Sequence, residues 1–275
     1  MKRALVVSVL FAMAAAIASA QESAADNNFR TGDFKTGIEW PVPAIVTPGE
    51  TPINPPSDAI VLFDGTNLDA WEGGPWNVKD GVLTVEPGTG EIKTKQKFGS
   101  VQLHIEFSTP AVELGEDGKP LHFSQARGNS GIFFQEHYEV QVLDNFDNPT
   151  YPDGQCGGIY KQWAPMVNIC KKPGEWQYYD IIYNRPVLKI ENEQVVEVIR
   201  PAYITVMQNG AVVVNHWEIK GDTFWHRSPC YQPHEDTGSI KLQDHGNRMQ
   251  FRNIWVREIP DSNIVPPQTL IQHYE

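Results

Sequence analysis

Two short stretches hold the side chains best suited to acid–base work. In Tyr138–Leu143, strand alternation puts Glu139 and Gln141 on one face and Val140 and Val142 on the other. In Ile240–His245 the same alternation sends Ile240 and Leu242 inward and turns Lys241, Gln243 and His245 outward together. A glutamate and a histidine brought into one groove could pass a proton to and from a bound substrate, with the neighbouring amides holding its hydroxyl groups. Water is the commonest neighbour of polar residues on an open strand face, so the catalytic reading requires the two faces to converge. Other chemistries find no support: there is no His-Glu-x-x-His pair, no phosphate-cradling glycine motif and no Gly-x-Ser-x-Gly elbow. No metal ligands are assigned. The stretch Asp144-Asn145-Phe146-Asp147-Asn148, with Asp153 beyond it, offers oxygens to a calcium ion, but it lacks the spacing of a known calcium loop and reads equally as turns. Calcium is the one cofactor the sequence leaves open.

The elements that must position these residues are strands. Eleven short β-type runs follow one another, at Ala59–Phe63, Val82–Val85, Val101–Phe107, Gly131–Phe134, Tyr138–Leu143, Gln177–Tyr183, Leu188–Glu191, Ala202–Gln208, Ala211–Val214, Ile240–His245 and Gln250–Glu258. No stretch carries a convincing helical period. In Val101–Phe107 the residues Val101, Leu103, Ile105 and Phe107 share one face and Gln102, His104 and Glu106 the other, as in a sheet packed on one side. Asn209-Gly210, between two alternating runs, marks a two-residue hairpin turn. In the last run Ile254 and Val256 read as core; parity then sends Arg252 inward or edgewise and Asn253, Trp255 and Arg257 outward. Eleven strands need more than one sheet, so the fold class is all-β, a sandwich or jelly roll of antiparallel sheets. Glu113–Gly128 carries charge and glycine without a pattern and reads as a surface loop.

The ends are different in kind. Lys2-Arg3, an apolar run from Ala4 to Ile17 and Ala18-Ser19-Ala20 have the order of a secretory signal peptide at residues 1–20, shorter in its apolar part than a membrane span. The expected product is periplasmic or secreted, with no membrane anchor. Residues 21–56 gather Pro41, Pro43, Pro48, Pro52, Pro55 and Pro56 and read as an extended lead-in. The folded domain is expected over 57–260 and a surface tail over 261–275. The chain has a net charge of −12. Removing 1–20 takes away two cations and no acid, leaving a surface poorly suited to nucleic acid. Of three cysteines, Cys156 and Cys170 flank one loop-rich stretch and are the pair to join if a disulfide forms, leaving Cys230 free; three unpaired thiols are the alternative. Trp163, Trp176, Tyr160, Trp217 and Trp225 are candidates for stacking on sugar rings or for filling the core.

Several motifs in order carry a family resemblance. They are Leu62-Phe63-Asp64-Gly65-Thr66-x-Leu68-x-x-Trp71, Gly128-Asn129-Ser130-Gly131-Ile132, Tyr138-Glu139-Val140-Gln141-Val142-Leu143-Asp144, Gly174-Glu175-Trp176, Leu242-Gln243-Asp244-His245-Gly246 and Phe251-Arg252-Asn253-Ile254. Together they resemble the 3-keto-disaccharide hydrolase domain, from about Ala59 to Glu258. The resemblance implies a concanavalin-like jelly roll acting on sugars whose C3 hydroxyl an upstream sugar 3-dehydrogenase has oxidised to a ketone. The ketone acidifies the hydrogen on C2, so a base can start β-elimination of the group on C1, and water can then add to the enone. In that scheme Glu139 and His245 are the catalytic pair, in either order. Asn129, Gln141, Tyr160, Lys161, Trp176, Gln243, Asp244 and Arg252 are the candidate substrate contacts. A two-carboxylate hydrolase pairing Glu139 with Asp244 or Glu175 is the rival mechanism. A noncatalytic carbohydrate-binding module is the rival function; a polar pair on one face favours the enzyme, and exposed rings without such a pair favour the binder.

Overall fold

The computed structural model describes residues 43–261, so the expected signal peptide, the lead-in up to Val42 and the tail beyond Asp261 lie outside the described residues. Fifteen strands follow in order: β1 (Ile60–Phe63), β2 (Trp71–Gly73), β3 (Asn77–Lys79), β4 (Val82–Thr84), β5 (Ile92–Thr94), β6 (Val101–Ser108), β7 (Ser130–Phe134), β8 (Tyr138–Val142), β9 (Gln177–Asn184), β10 (Val187–Glu191), β11 (Gln194–Arg200), β12 (Tyr203–Gln208), β13 (Ala211–Glu218), β14 (Lys241–Leu242) and β15 (Gln250–Glu258). The helices among the described residues are two single 3₁₀ turns, Ser124–Ala126 and Pro152–Gly154.

The strands form a jelly-roll sandwich with antiparallel pairing throughout. The larger sheet runs β13-β12-β9-β6-β15-β4-β3, with β1 also paired to β15, and the smaller runs β2-β5-β14-β7-β8. The β10–β11 hairpin stands apart as a two-stranded ribbon. Alternation places Leu103, Ile105 and Phe107 of β6 and Phe251, Ile254 and Val256 of β15 in one wall of the core, with Ile132, Val140, Val142 and Leu242 in the other, all essentially without solvent exposure. Each such side chain contributes about 1.5–3 kcal/mol by leaving water. Two tyrosines of β9 also reach polar partners on the smaller-sheet side. Tyr179 donates to the Gln141 carbonyl at 2.8 Å and Tyr183 to Gln135 Oε1 at 2.6 Å. These bonds satisfy buried hydroxyls and hold the β7–β8 hairpin at a fixed height above the larger sheet.

Two expectations from alternation need correction. The far face of β6 is covered, not open: His104 and Glu106 are buried, and Asn253 and Trp255 each donate to the carbonyl of Ile53 in the lead-in, at 2.9 and 3.0 Å. Residues just ahead of the first strand therefore fold onto the domain. Secondly, Arg252 does not point inward. Asn253 has φ 46° and the β15–β6 register shifts between Arg252 and Trp255, so one extra residue bulges out of β15. The bulge lets Phe251 and Ile254 both face the core and sends Arg252 outward to Glu106, Nε to Oε2, at 2.6 Å.

Candidate functional site

The smaller sheet presents its outer face as a cavity of about 450 Å³, within the range of small-molecule sites. Its floor is set by strand register. Lys241, Phe133 and Glu139 lie side by side across β14, β7 and β8. Beyond them lies a second row. Gly131 is opposite Gln141, and Gln243 N–H donates to the Gly131 carbonyl at 3.0 Å. Gln243 and His245 both line the cavity, as do Asn129, Glu139 and Gln141. The two faces singled out in the sequence thus do converge.

The face is not open, however. Residues Gly157 to Tyr160 run along the free edge of β8: Gly157 N–H donates to the Gln141 carbonyl, Gln141 N–H to that of Gly158, and Tyr160 N–H to that of Glu139. Thr223 closes the same edge, its Oγ1 accepting the Glu139 N–H at 3.1 Å and its own N–H donating to the His137 carbonyl at 2.9 Å. Tyr160, Thr223, Phe224 and Trp225 become the walls. Beneath them Glu139 keeps only 5% of its surface exposed and Gln141 1%.

Burial decides the chemistry of Glu139. Its carboxyl has no hydrogen-bond partner among the described residues, so loss of water pushes its pKa up to about 8 against a weaker opposing pull from Lys241. The group therefore changes charge near neutrality, where a general acid or base is most useful. Its position depends on Gly131: a Cβ there would lie 2.5 Å from Glu139 Oε1 and 2.9 Å from the Phe133 ring. Gln141 is held in an amide chain, Nε2 donating to Asn129 Oδ1 at 3.0 Å while Asn129 Nδ2 donates to the Gln125 carbonyl at 2.8 Å. Gln243 is the freest amide, with Oε1 buried and unpartnered. His245 sits at the exposed rim.

Other expected contacts fall elsewhere. Lys161 lies behind the wall, over the Tyr151 ring at 3.5 Å and 3.7 Å from Asp153. Asp244 is a turn residue whose Oδ2 accepts from Gly90 N–H and Oδ1 from Gly246 N–H. Trp176 lies under the Arg252 guanidinium at 4.1 Å, with Arg252 bonded to Glu106 on the larger sheet. Trp163 and Trp217 stack on each other. Glu175 is exposed in a turn outside the cavity. Glu139 is the one carboxylate lining the cavity among the described residues, so neither expected partner for a two-carboxylate mechanism is present. The Asp/Asn stretch has other work: Asp144 pairs with Arg127 at 2.7 Å, Asn145 Oδ1 accepts the Cys156 N–H, and Asn148 Nδ2 donates to the Asp144 carbonyl. No cluster of three potential metal ligands occurs among the described residues.

Cys156 and Cys170 are brought together, but as free thiols, and Cys230 is free as well. Gln208 Nε2 lies 3.6 and 3.5 Å from their two sulfurs, and Cys156 Sγ is 2.8 Å from the Tyr179 hydroxyl. Of the two arrangements the sequence left open, a disulfide or three thiols, the structure has the thiols, with Cys156 and Cys170 in a polar cluster around Gln208. Gln125, Phe133, Thr223 and Phe224 complete the site and were missed in the sequence. Thr223 and Phe224 follow no strand pattern, and only long-range pairing places them beside Glu139.

The fold is a concanavalin-like jelly roll with a cleft, lined by Glu139 and His245, on the outer face of its smaller sheet. The chain belongs to the 3-keto-alpha-glucoside-1,2-lyase-like domain family, whose pattern matches residues 58–257. A 3-keto-disaccharide hydrolase from Bacteroides thetaiotaomicron is 24% identical over 243 residues, covering 72% of this chain and 77% of that protein. A crystal structure of a provisionally assigned glycosyl hydrolase from Parabacteroides distasonis is 45% identical, with TM-score 0.74 over 84% of this chain and 97% of that one. A second such structure from the same organism, 19% identical with TM-score 0.52, covers 74% of this chain and 94% of the other and shares the fold.

Proposed function

We propose that this protein cleaves the glycosidic bond of 3-keto-glycosides, including 3-keto-disaccharides, by proton abstraction at C2 followed by β-elimination. The observation that carries the reading is the cavity's single carboxyl among the described residues, Glu139, buried without a partner, with His245 at the rim of the same cavity. One carboxylate is too few for a conventional two-carboxylate hydrolase and sufficient for removing a proton next to a ketone. Family membership, and the names of the Bacteroides and Parabacteroides relatives, support action on sugars of this kind.

In this scheme ionised Glu139 takes the C2 proton. The C–H electron pair forms the C2–C3 double bond of an enolate, whose oxygen the Gln243 amide and the Thr223 hydroxyl can serve as donors. Collapse of the enolate restores the C3 ketone, forms the C1–C2 double bond and expels the group on C1, which takes a proton from His245. Water adding across C1–C2 places hydroxyl on C1 and hydrogen on C2, completing net hydrolysis. The ketone itself requires a sugar 3-dehydrogenase upstream. Export to the periplasm or medium, read from Lys2 to Ala20, belongs to the same proposal.

The test is incubation of the protein with a 3-keto-disaccharide and its unoxidised parent in heavy water, followed by NMR and mass spectrometry. Cleavage of the keto sugar alone, with deuterium at C2 of the product, is the expected result. Cleavage of both sugars without deuterium would refute the elimination route, and saturable binding without cleavage would make the domain a carbohydrate-binding module.

A further inference from the structure

The cavity has two chemically different ends. At the closed end Glu139, Gln141 and Asn129 are nearly free of solvent and supply a carboxyl and amides. At the open end Trp225 is 77% exposed, beside Phe224. Isolated exposed hydrophobic side chains are ordinary, but this one lines a polar cavity next to a second ring.

The segment that carries it is built to hold it there. Asp222 and Cys230 pair in an antiparallel bridge that closes the neck of the loop, with Asp222 N–H donating to the Cys230 carbonyl at 3.0 Å. Gly221 permits that approach, since a Cβ at this position, with φ 136°, would collide with the Cys230 carbonyl carbon. The Asp222 carboxylate binds His137 Nδ1 with one oxygen and accepts the Gln232 N–H at 3.0 Å with the other. Thr223 then joins β8 at Glu139, while the Arg227 guanidinium covers the Phe224 ring at 3.7 Å. Among the described residues Trp225 has no aromatic partner but His226, which meets it edge-on at 5.1 Å, so its broad surface remains exposed.

We propose that Trp225 is the platform for the leaving group, and that this enzyme selects 3-keto-glycosides whose C1 substituent is a ring with an apolar face. The inference rests on the elimination reading above. If C2 of the oxidised ring lies at Glu139 in the closed end, the amides there meet its hydroxyl groups and the C1 substituent must extend toward the mouth. At the mouth a ring can cover Trp225 and take its exposed face out of solvent. Either an aromatic aglycone or the apolar face of a second sugar has the required chemistry.

The experiment compares three 3-keto-glucosides differing only in leaving group, methyl, phenyl and glucosyl, on the wild-type protein, Trp225→Ala and Trp225→Phe. Wild type should favour one or both ring leaving groups over methyl. Trp225→Ala should lower kcat/KM on the favoured substrates by roughly tenfold while changing the methyl glycoside less than about twofold, and Trp225→Phe should retain most of the preference. A phenyl preference that Trp225→Ala removes identifies an aromatic aglycone, because the easier departure of phenoxide would survive the substitution, and a glucosyl preference removed in the same way identifies a sugar face. Equal losses on all three substrates, or none on any, would overturn the platform while leaving the reaction intact. Wild-type protein inert toward all three would sink the reaction and the platform with it.

Discussion

Replacing Glu139 by glutamine should make the protein more stable, and by an amount that depends on pH in a defined way. An ordinary glutamate titrates near 4.5, and burial raises that of Glu139 to about 8. Between these values the unfolded chain loses its proton while the folded protein keeps it, so wild-type stability falls as pH rises. At about 1.4 kcal/mol per pH unit the full loss is about 5 kcal/mol, complete somewhat above pH 8 and absent below 4.5. That is comparable to the entire margin of about 5–15 kcal/mol by which domains are stable. Glutamine has no such proton, so the difference in unfolding free energy between Glu139→Gln and wild type should grow across this window. Urea unfolding at pH 5, 6, 7, 8 and 9 measures it directly. A constant difference over the series would refute the argument, because it would mean that the carboxyl is solvated or paired in the folded state.

Three further outcomes follow from the same geometry. In His245→Ala, assayed on a phenyl 3-keto-glycoside whose leaving group needs little help from an acid, kcat/KM should rise with pH to a plateau a little above pH 8, since the base form of Glu139 is the ionised one; a pH-rate series shows it, and a fall over this range in that variant would assign Glu139 as the acid. Gly131→Ala should keep its fold but lower kcat by roughly a hundredfold, because the added carbon meets the flexible end of Glu139; pairing it with Glu139→Asp, which shortens the clashing side chain, should restore part of the rate. On the larger sheet, burial alone would raise the pKa of Glu106, but the His104 imidazole 4.0 Å away and the hydrogen bonds from Asn253 and Arg252 outweigh it and hold it down to about 2. Its stabilisation, about 3 kcal/mol, is present above pH 4.5 and lost as pH falls toward 2, so acid unfolding should be less steep in Glu106→Gln.

What could be read from the residues was whatever strand alternation or turn chemistry controls locally. The core face of β6, the inward pair Ile240 and Leu242, and the Asn209-Gly210 turn all stand as read, the last with both φ values positive. Strands β2, β3 and β5 escaped because three residues are too few to show a period. Strand β11 escaped because its hairpin turns on Asn192-Glu193, both with positive φ, instead of a glycine pair. Parity failed for Arg252 because a bulge adds one residue without altering the hydrophobic pattern around it. In the site, Glu139, Gln141, Gln243 and His245 were legible from their faces. Trp176, Asp244 and Arg252 were not separable from true lining residues, since motif membership does not tell which way a side chain is turned, and Lys161 follows the lining residue Tyr160 but has a positive φ of 60° and lies over Tyr151. The depth of Glu139 was hidden for a different reason. It is imposed by Tyr160 and Thr223, which reach the free edge of β8 across long stretches of irregular chain.

The order of pairing in the larger sheet bears on how this domain can be made. Strand β15 lies against β6 on one side and against both β4 and β1 on the other, so it separates two parts of the sheet that precede it in the chain. Until Gln250–Glu258 has been synthesised, β6 has an unsatisfied edge and β1 has no sheet to join. Folding must therefore wait for a late strand, and the bonds that close the sheet join residues up to about two hundred positions apart, which makes assembly slow. A nascent chain with that topology stays open until nearly the whole domain has emerged, and its exposed β edges make a growing chain most vulnerable to aggregation just before β15 arrives.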